Sequence, residues 1–154
     1  MDLTEKLAAI EEIKALKSRY FRYLDTKDWV GWKELVFCAD SEMLVPEAQP
    51  EPVRGIDQII TFVEQVLRGT VTIHHGHMPE ITIESDTVAS GIWAMEDIIY
   101  WPKDRPAQGR YSKLQGYGHY HERYVRESSG WRIKSLRLSR LHIIHTEQDQ
   151  HRWT

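Results

Sequence analysis

The chain has 154 residues, close to the commonest size of one domain and long enough to bury a core. Apolar residues make up 41% and charged residues 28%, and the formal net charge is −3. Charge alone therefore implies no polyanion partner, no basic stripe marks a nucleic-acid binder, and the single cysteine, Cys38, excludes an internal disulfide.

The opening segment Met1 to Lys17 lacks the basic-then-apolar order of a secretion signal. No apolar run approaches the ~18 residues needed to span a bilayer. A soluble, cytoplasmic chain without a membrane partner is the expectation, and a lone cysteine fits a reducing compartment. Six tryptophans and seven tyrosines can line a ligand cavity as well as fill a core.

From Leu3 to Leu24, the residues Leu3, Leu7, Ile10, Ile13, Leu16, Tyr20 and Leu24 recur at steps of three and four. This spacing predicts a helix with one apolar stripe, capped by Asp2 or Thr4. Asp28 to Leu35 reads as a short second helix carrying Trp29 and Trp32. Met43 to Val45 reads as a brief strand, ended by the proline-rich loop Pro46 to Pro52. Gly55 opens a third helix, Ile56 to Leu67, with Ile59, Ile60, Val63 and Val66 on its apolar side.

After Gly69 the texture turns to β. Val71 to Ile83, Thr87 to Trp101, Tyr111 to Glu127 and Trp131 to Ile144 are rich in β-branched and aromatic residues. Ser85-Asp86, Lys103 to Pro106 and Ser128-Ser129-Gly130 separate them. Connections this short join antiparallel neighbours. Helices followed by an antiparallel meander define a single α+β domain over 1–154.

Five positions stand out chemically. Asp25 sits at a helix C-terminus, where the dipole disfavours an acid, so it is either a solvated end charge or a partnered group. Tyr20 lies inside the apolar stripe, and its hydroxyl needs a partner or a pocket. In Thr72-Ile73-His74-His75-Gly76-His77, His74 shares a strand face with Thr72, while Ile73, His75 and His77 share the other. His119 and His121 share a strand face, yet no acids or thiols at ligand spacing join these histidines, so no metal is expected. Acid–base work or a structural hydrogen bond is the better reading of His74. Asp97 falls in a row with Trp93, Met95, Ile99 and Trp101, where a carboxylate is costly unless paired or used. Arg140 shares a face with Leu136, Leu138 and His142.

The helix text Ile13 to Asp25, the strand text His74-His-Gly-His-Met-Pro-Glu-Ile81 and the segment Trp93-Ala-Met-Glu-Asp97 resemble the SnoaL-like, nuclear-transport-factor-2-like superfamily. They resemble its bile-acid 7α-dehydratase branch in particular, and lindane dehydrochlorinase, scytalone dehydratase and ketosteroid isomerase more distantly. Order and spacing match from about Ile10 to His142. The resemblance implies a cone-shaped barrel, with N-terminal helices packed on a curved antiparallel sheet around a deep apolar pocket. It implies that Asp25, in its Tyr-Phe-Arg-x-Leu-Asp context, pairs with His74 as general base. It further implies that Tyr20 polarises the substrate and that Asp97 and Arg140 complete the catalytic set. Trp93 and Tyr120 are assigned to substrate binding. The strand around Met43 has no counterpart to a further pocket tyrosine of the bile-acid branch.

The function this implies is a cofactor-independent lyase, a dehydratase-type β-elimination on a largely apolar cyclic or aromatic carbonyl compound. Isomerisation or cyclisation uses the same groups, and a non-catalytic ligand-binding protein keeps the pocket alone. The outer sheet face of Ile73, His75, His119 and His121 predicts a homo-oligomer, and the relatives imply a trimer over a dimer.

Overall fold

The computed structural model describes residues 1–148. Helix α1 runs Leu3–Thr26, α2 Trp29–Leu35 and α3 Ile56–Leu67. The strands are β1 Phe37–Leu44, β2 Val53–Arg54, β3 Val71–Ile83, β4 Val88–Tyr100, β5 Tyr111–Glu127 and β6 Gly130–Glu147.

Asp2, not Thr4, caps α1: its side chain accepts from the Glu5 N–H, and the Glu5 carboxylate accepts from the Asp2 N–H. This reciprocal box satisfies two orphan donors and is worth about 1 kcal/mol. The apolar stripe buries only from Ala9 onward, through Ile13, Leu16, Tyr20 and Leu24. Leu3 and Leu7, expected on that stripe, are exposed. Periodicity identifies a helix face but not how far along the helix the sheet reaches.

The sheet order is β2-β1-β6-β5-β4-β3. The antiparallel meander of β3 to β6 is as expected, but the sheet as a whole is mixed and open, because β1 pairs parallel with β6. Short turns dictate neighbours only within the meander; β1 finds its partner across most of the chain. β1 is also longer than the expected Met43 to Val45, since Asp40 and Glu42 dilute its β texture. Register breaks at His77/Glu80, Tyr117/Gly118 and Arg123/Tyr124 mark bulges that bend the long strands around α1. The helices cover the concave face. Between them and the sheet lies a core that includes Ile13, Leu16, Trp32, Ile59, Tyr124 and Ile133, each essentially shielded from solvent. No helix among the described residues is long and apolar enough to cross a membrane.

Candidate active site

The concave face does not fill completely. A pocket of about 350 Å³ opens between α1, α3, the segment after β1 and strands β4 to β6. Leu24, Phe62, Val63, Ile99, Leu114 and Leu138 make its wall largely apolar, and a few polar groups converge on it.

The first is His74. The strand alternation that exposes Ile73 and His75 turns His74 and Thr72 inward. His74 is 8% exposed and lines the pocket wall. Its Nδ1 lies 2.6 Å from Asp25 Oδ1, and its backbone N–H donates to Asp25 Oδ2 at 2.8 Å. The Thr72 hydroxyl donates to Asp25 Oδ1 at 2.9 Å. A carboxylate only accepts, so Nδ1 carries a proton, and in the neutral ring the lone pair lies on Nε2. Asp25 stands behind the wall rather than on it. Burial pushes its carboxyl pKa up, but His74 and then Thr72 outweigh burial and bring it below the ordinary 3.8.

The second group is Arg140. Its Nη1 and Nη2 donate to the two Asp97 oxygens at 2.7 Å each, a bidentate fork, and its Nε donates to Glu47 at 2.6 Å. Burial opposes the charged guanidinium, yet Asp97 and then Glu47 raise its pKa further above the usual range. Asp97 is 3% exposed, so this pairing meets the need of a carboxylate in an apolar row. Gly116 of β5 makes the pairing possible, because a Cβ there would overlap both the Arg140 Nη1 and the Asp97 Oδ1 positions.

Tyr20 and Tyr120 contribute two phenols to the pocket, with ring centroids 6.1 Å apart. Burial, then the surrounding carboxylates, holds the Tyr20 hydroxyl well above pKa 10, and burial does the same for Tyr120. Both are therefore protonated donors at any ordinary pH. Beneath them the Lys17 ammonium sits 3.8 Å over the Tyr20 ring and 3.9 Å over the Tyr120 ring, ion-paired with Glu122.

Of the expected site residues, Tyr20, His74, Asp97, Tyr120 and Arg140 share the pocket, with Asp25 directly behind His74. Trp93 is not on the wall. Its indole packs deeper in the core and donates to the Tyr124 hydroxyl at 2.8 Å. His142, expected on the face of Arg140, is exposed, because the register break opposite Tyr117/Gly118 inserts Leu141 and flips the alternation. That flip brings His145 to the pocket instead. Sequence reasoning also missed Glu47, which the proline-rich loop carries, and Lys17. Lys17 did leave a signal: it stands four residues after Ile13 and three before Tyr20, on the stripe itself. Among the described residues, no group of three or more His, Cys, Asp or Glu side chains gathers as a metal site.

Three helices over a curved sheet, enclosing an apolar pocket with a histidine on its wall, make an α+β protein with the nuclear-transport-factor-2-like fold. A SnoaL-like domain signature matches residues 5–137, and the chain belongs to that family. Solved structures agree on the fold. A protein of Novosphingobium aromaticivorans provisionally named a scytalone dehydratase superposes with a TM-score of 0.81 at 20% identity, over 94% of this chain and 92% of that one. A type 3 hexachlorocyclohexane dehydrochlorinase from Novosphingobium barchaimii gives 0.79 at 16% identity, over 99% of each chain. A protein of Streptomyces avermitilis provisionally named a dehydratase of this fold family gives 0.74 at 9% identity, over 88% of this chain and 98% of that one.

Proposed function

We propose that the protein is a lyase that catalyses β-elimination, of the dehydratase type, on a largely apolar cyclic or aromatic carbonyl compound. The observation that carries the reading is the His74 ring, tied to Asp25 at 2.6 Å through Nδ1 and set in the wall of an apolar pocket. Nε2 takes the proton on the carbon next to the substrate carbonyl. Asp25 stabilises the histidinium that forms. Tyr20, aided by Tyr120, donates to the carbonyl oxygen as enolate charge develops. The enolate electrons re-form the carbonyl and expel the β-hydroxyl, whose oxygen takes the proton back from His74 Nε2 and departs as water, which returns the ring to its neutral form. Arg140, held by Asp97, stabilises charge at that end. Every step runs on side chains of this chain, and the dehydratase and dehydrochlorinase names of the structural neighbours favour an elimination.

The reading includes a cytoplasmic setting and self-association, a trimer over a dimer. Ile73 and Ile92, 36% and 37% exposed on the convex face, support the association. The test of function is incubation with cyclic and aromatic β-hydroxy ketones, following loss of water by mass and by the new conjugated absorbance. Turnover in the wild type that falls at least about 100-fold in His74→Ala supports the mechanism. Undiminished turnover in His74→Ala ends it. Product of unchanged mass marks an isomerase, and saturable binding without product marks a binding protein.

A further inference from the structure

We propose that Lys27, acting through the Thr72 hydroxyl, is a positioning residue that balances the charge of Asp25 and so keeps His74 available as a base. The inference rests on the acid–base role of His74 given above. Lys27 is the C-cap of α1 and adopts the left-handed conformation, φ 59° and ψ 29°. Glycine is the usual residue there, since a side chain strains that backbone. The lysine instead folds its half-buried side chain back along the helix end. Its Nζ donates to Thr72 Oγ1 at 2.6 Å and caps the Leu24 carbonyl at 3.3 Å. The Thr72 hydroxyl in turn donates to Asp25 Oδ1 at 2.9 Å, and that same carboxylate oxygen accepts from His74 Nδ1. A continuous line of hydrogen bonds therefore runs from an ammonium, through a hydroxyl and a carboxylate, to the imidazole.

The reason for a cation at that end follows from Coulomb's law. A carboxylate alone behind an imidazole favours the protonated ring, and a protonated ring is no base. The groups facing the pair are Tyr20 from α1, Asp97 from β4, opposite His74 in register, and Arg140 from β6. Tyr20 stays neutral, and Arg140 is shared between Asp97 and Glu47. Lys27 is the cation hydrogen-bonded toward Asp25. Burial lowers its pKa, while Asp25 holds it up, as expected of an ammonium kept near a carboxylate.

The alternative is that Lys27 merely caps the helix, and the two roles separate experimentally. Lys27→Met, Lys27→Arg, Lys27→Gly and Thr72→Val are compared by the pH profile of kcat/KM and by NMR of the His74 ring protons across pH. In Lys27→Met and Lys27→Gly the midpoint of the His74 titration and the acid limb of the rate profile move up by about half a unit to one unit. Activity at pH 6.5 falls several-fold with them. Lys27→Arg keeps the wild-type midpoint. Lys27→Gly, relieved of the strained backbone, melts no lower than Lys27→Met although it shares the shifted profile. Adding Lys27→Met to Thr72→Val moves the midpoint less than Lys27→Met does alone, because without the Thr72 hydroxyl the ammonium is no longer held beside Asp25. An unmoved midpoint in Lys27→Met, or full additivity with Thr72→Val, overturns the proposal. If the wild type turns over no substrate, the proposed function fails, and the NMR titration still decides the role of Lys27.

Discussion

The ammonium of Lys17 and the carboxylate of Glu122, 105 positions apart in the chain, meet in the core with neither side chain exposed to solvent. Burial lowers the Lys17 pKa, and the charge and hydrogen bond of Glu122 resist that shift. Glu122 also accepts from the Tyr124 hydroxyl, which in turn accepts from the Trp93 indole. The pair thus anchors α1 to β5 and carries the rings of Tyr20 and Tyr120 above it.

A buried pair is weak in net stability but costly to break, because removing one partner strands the other charge. Lys17→Met should destabilise the fold by about 3–5 kcal/mol in urea unfolding. The double change Lys17→Met with Glu122→Gln, which keeps an acceptor for the Tyr124 hydroxyl, should recover most of that loss. A double variant as unstable as the single one would show that packing, not charge, dominates here.

At the other end of the pocket, Gly116→Ala should separate Arg140 from Asp97, because the added methyl occupies the space of their fork. We expect a loss of about 1–3 kcal/mol in stability, as for other overpacked sites. Activity should fall with it. A crystal structure of the variant with both 2.7 Å bonds intact would contradict this account.

Arg140 with Asp97 and Glu47 carries one net negative charge, since one cation faces two carboxylates. Glu47→Gln removes that excess. Affinity for a carboxylate-bearing ligand, measured against its neutral ester, should improve by roughly fivefold, equivalent to about 1 kcal/mol. Equal changes for both ligands would mean that Glu47 shapes the pocket without selecting charge.

The depressed Asp25 carboxyl has a consequence for acid stability. Its folded pKa lies below its ordinary 3.8, so it binds its proton more readily when unfolded. Its stabilising contribution is present above that ordinary value and disappears as pH falls through the lower folded one. Urea unfolding of the wild type and Asp25→Asn should therefore draw together as pH falls from about 4 through the lower folded value. A gap that widens toward low pH would reverse the sign of the effect.

Self-association supplies a last check. Sedimentation at micromolar concentration should give a species heavier than the monomer, and Ile73→Lys should shift it toward monomer. A wild-type monomer would remove the convex face from consideration as an interface.

Local chemistry wrote much of this protein into its sequence. Periods of 3.6 and 2.0 mark α1, α3 and β3 to β6, because side-chain direction follows from backbone geometry alone. The same alternation turned His74 and Thr72 inward and Ile73 and His75 outward, and the spacing Tyr20 to Asp25 brought an acid to the helix end nearest them. Tertiary structure decided whatever depends on long-range register. The parallel pairing of β1 with β6, the bulge at Leu141 that exchanges His142 for His145, and the seat of Trp93 behind the pocket are set by strands meeting across the whole chain. A one-residue slip in such a pairing reverses the face of every later side chain, and no local pattern records where the slip falls. Lys27 shows both levels at once. Its place after the helix is read from the chain, but its bond to Thr72 exists only because β3 passes beneath that helix end.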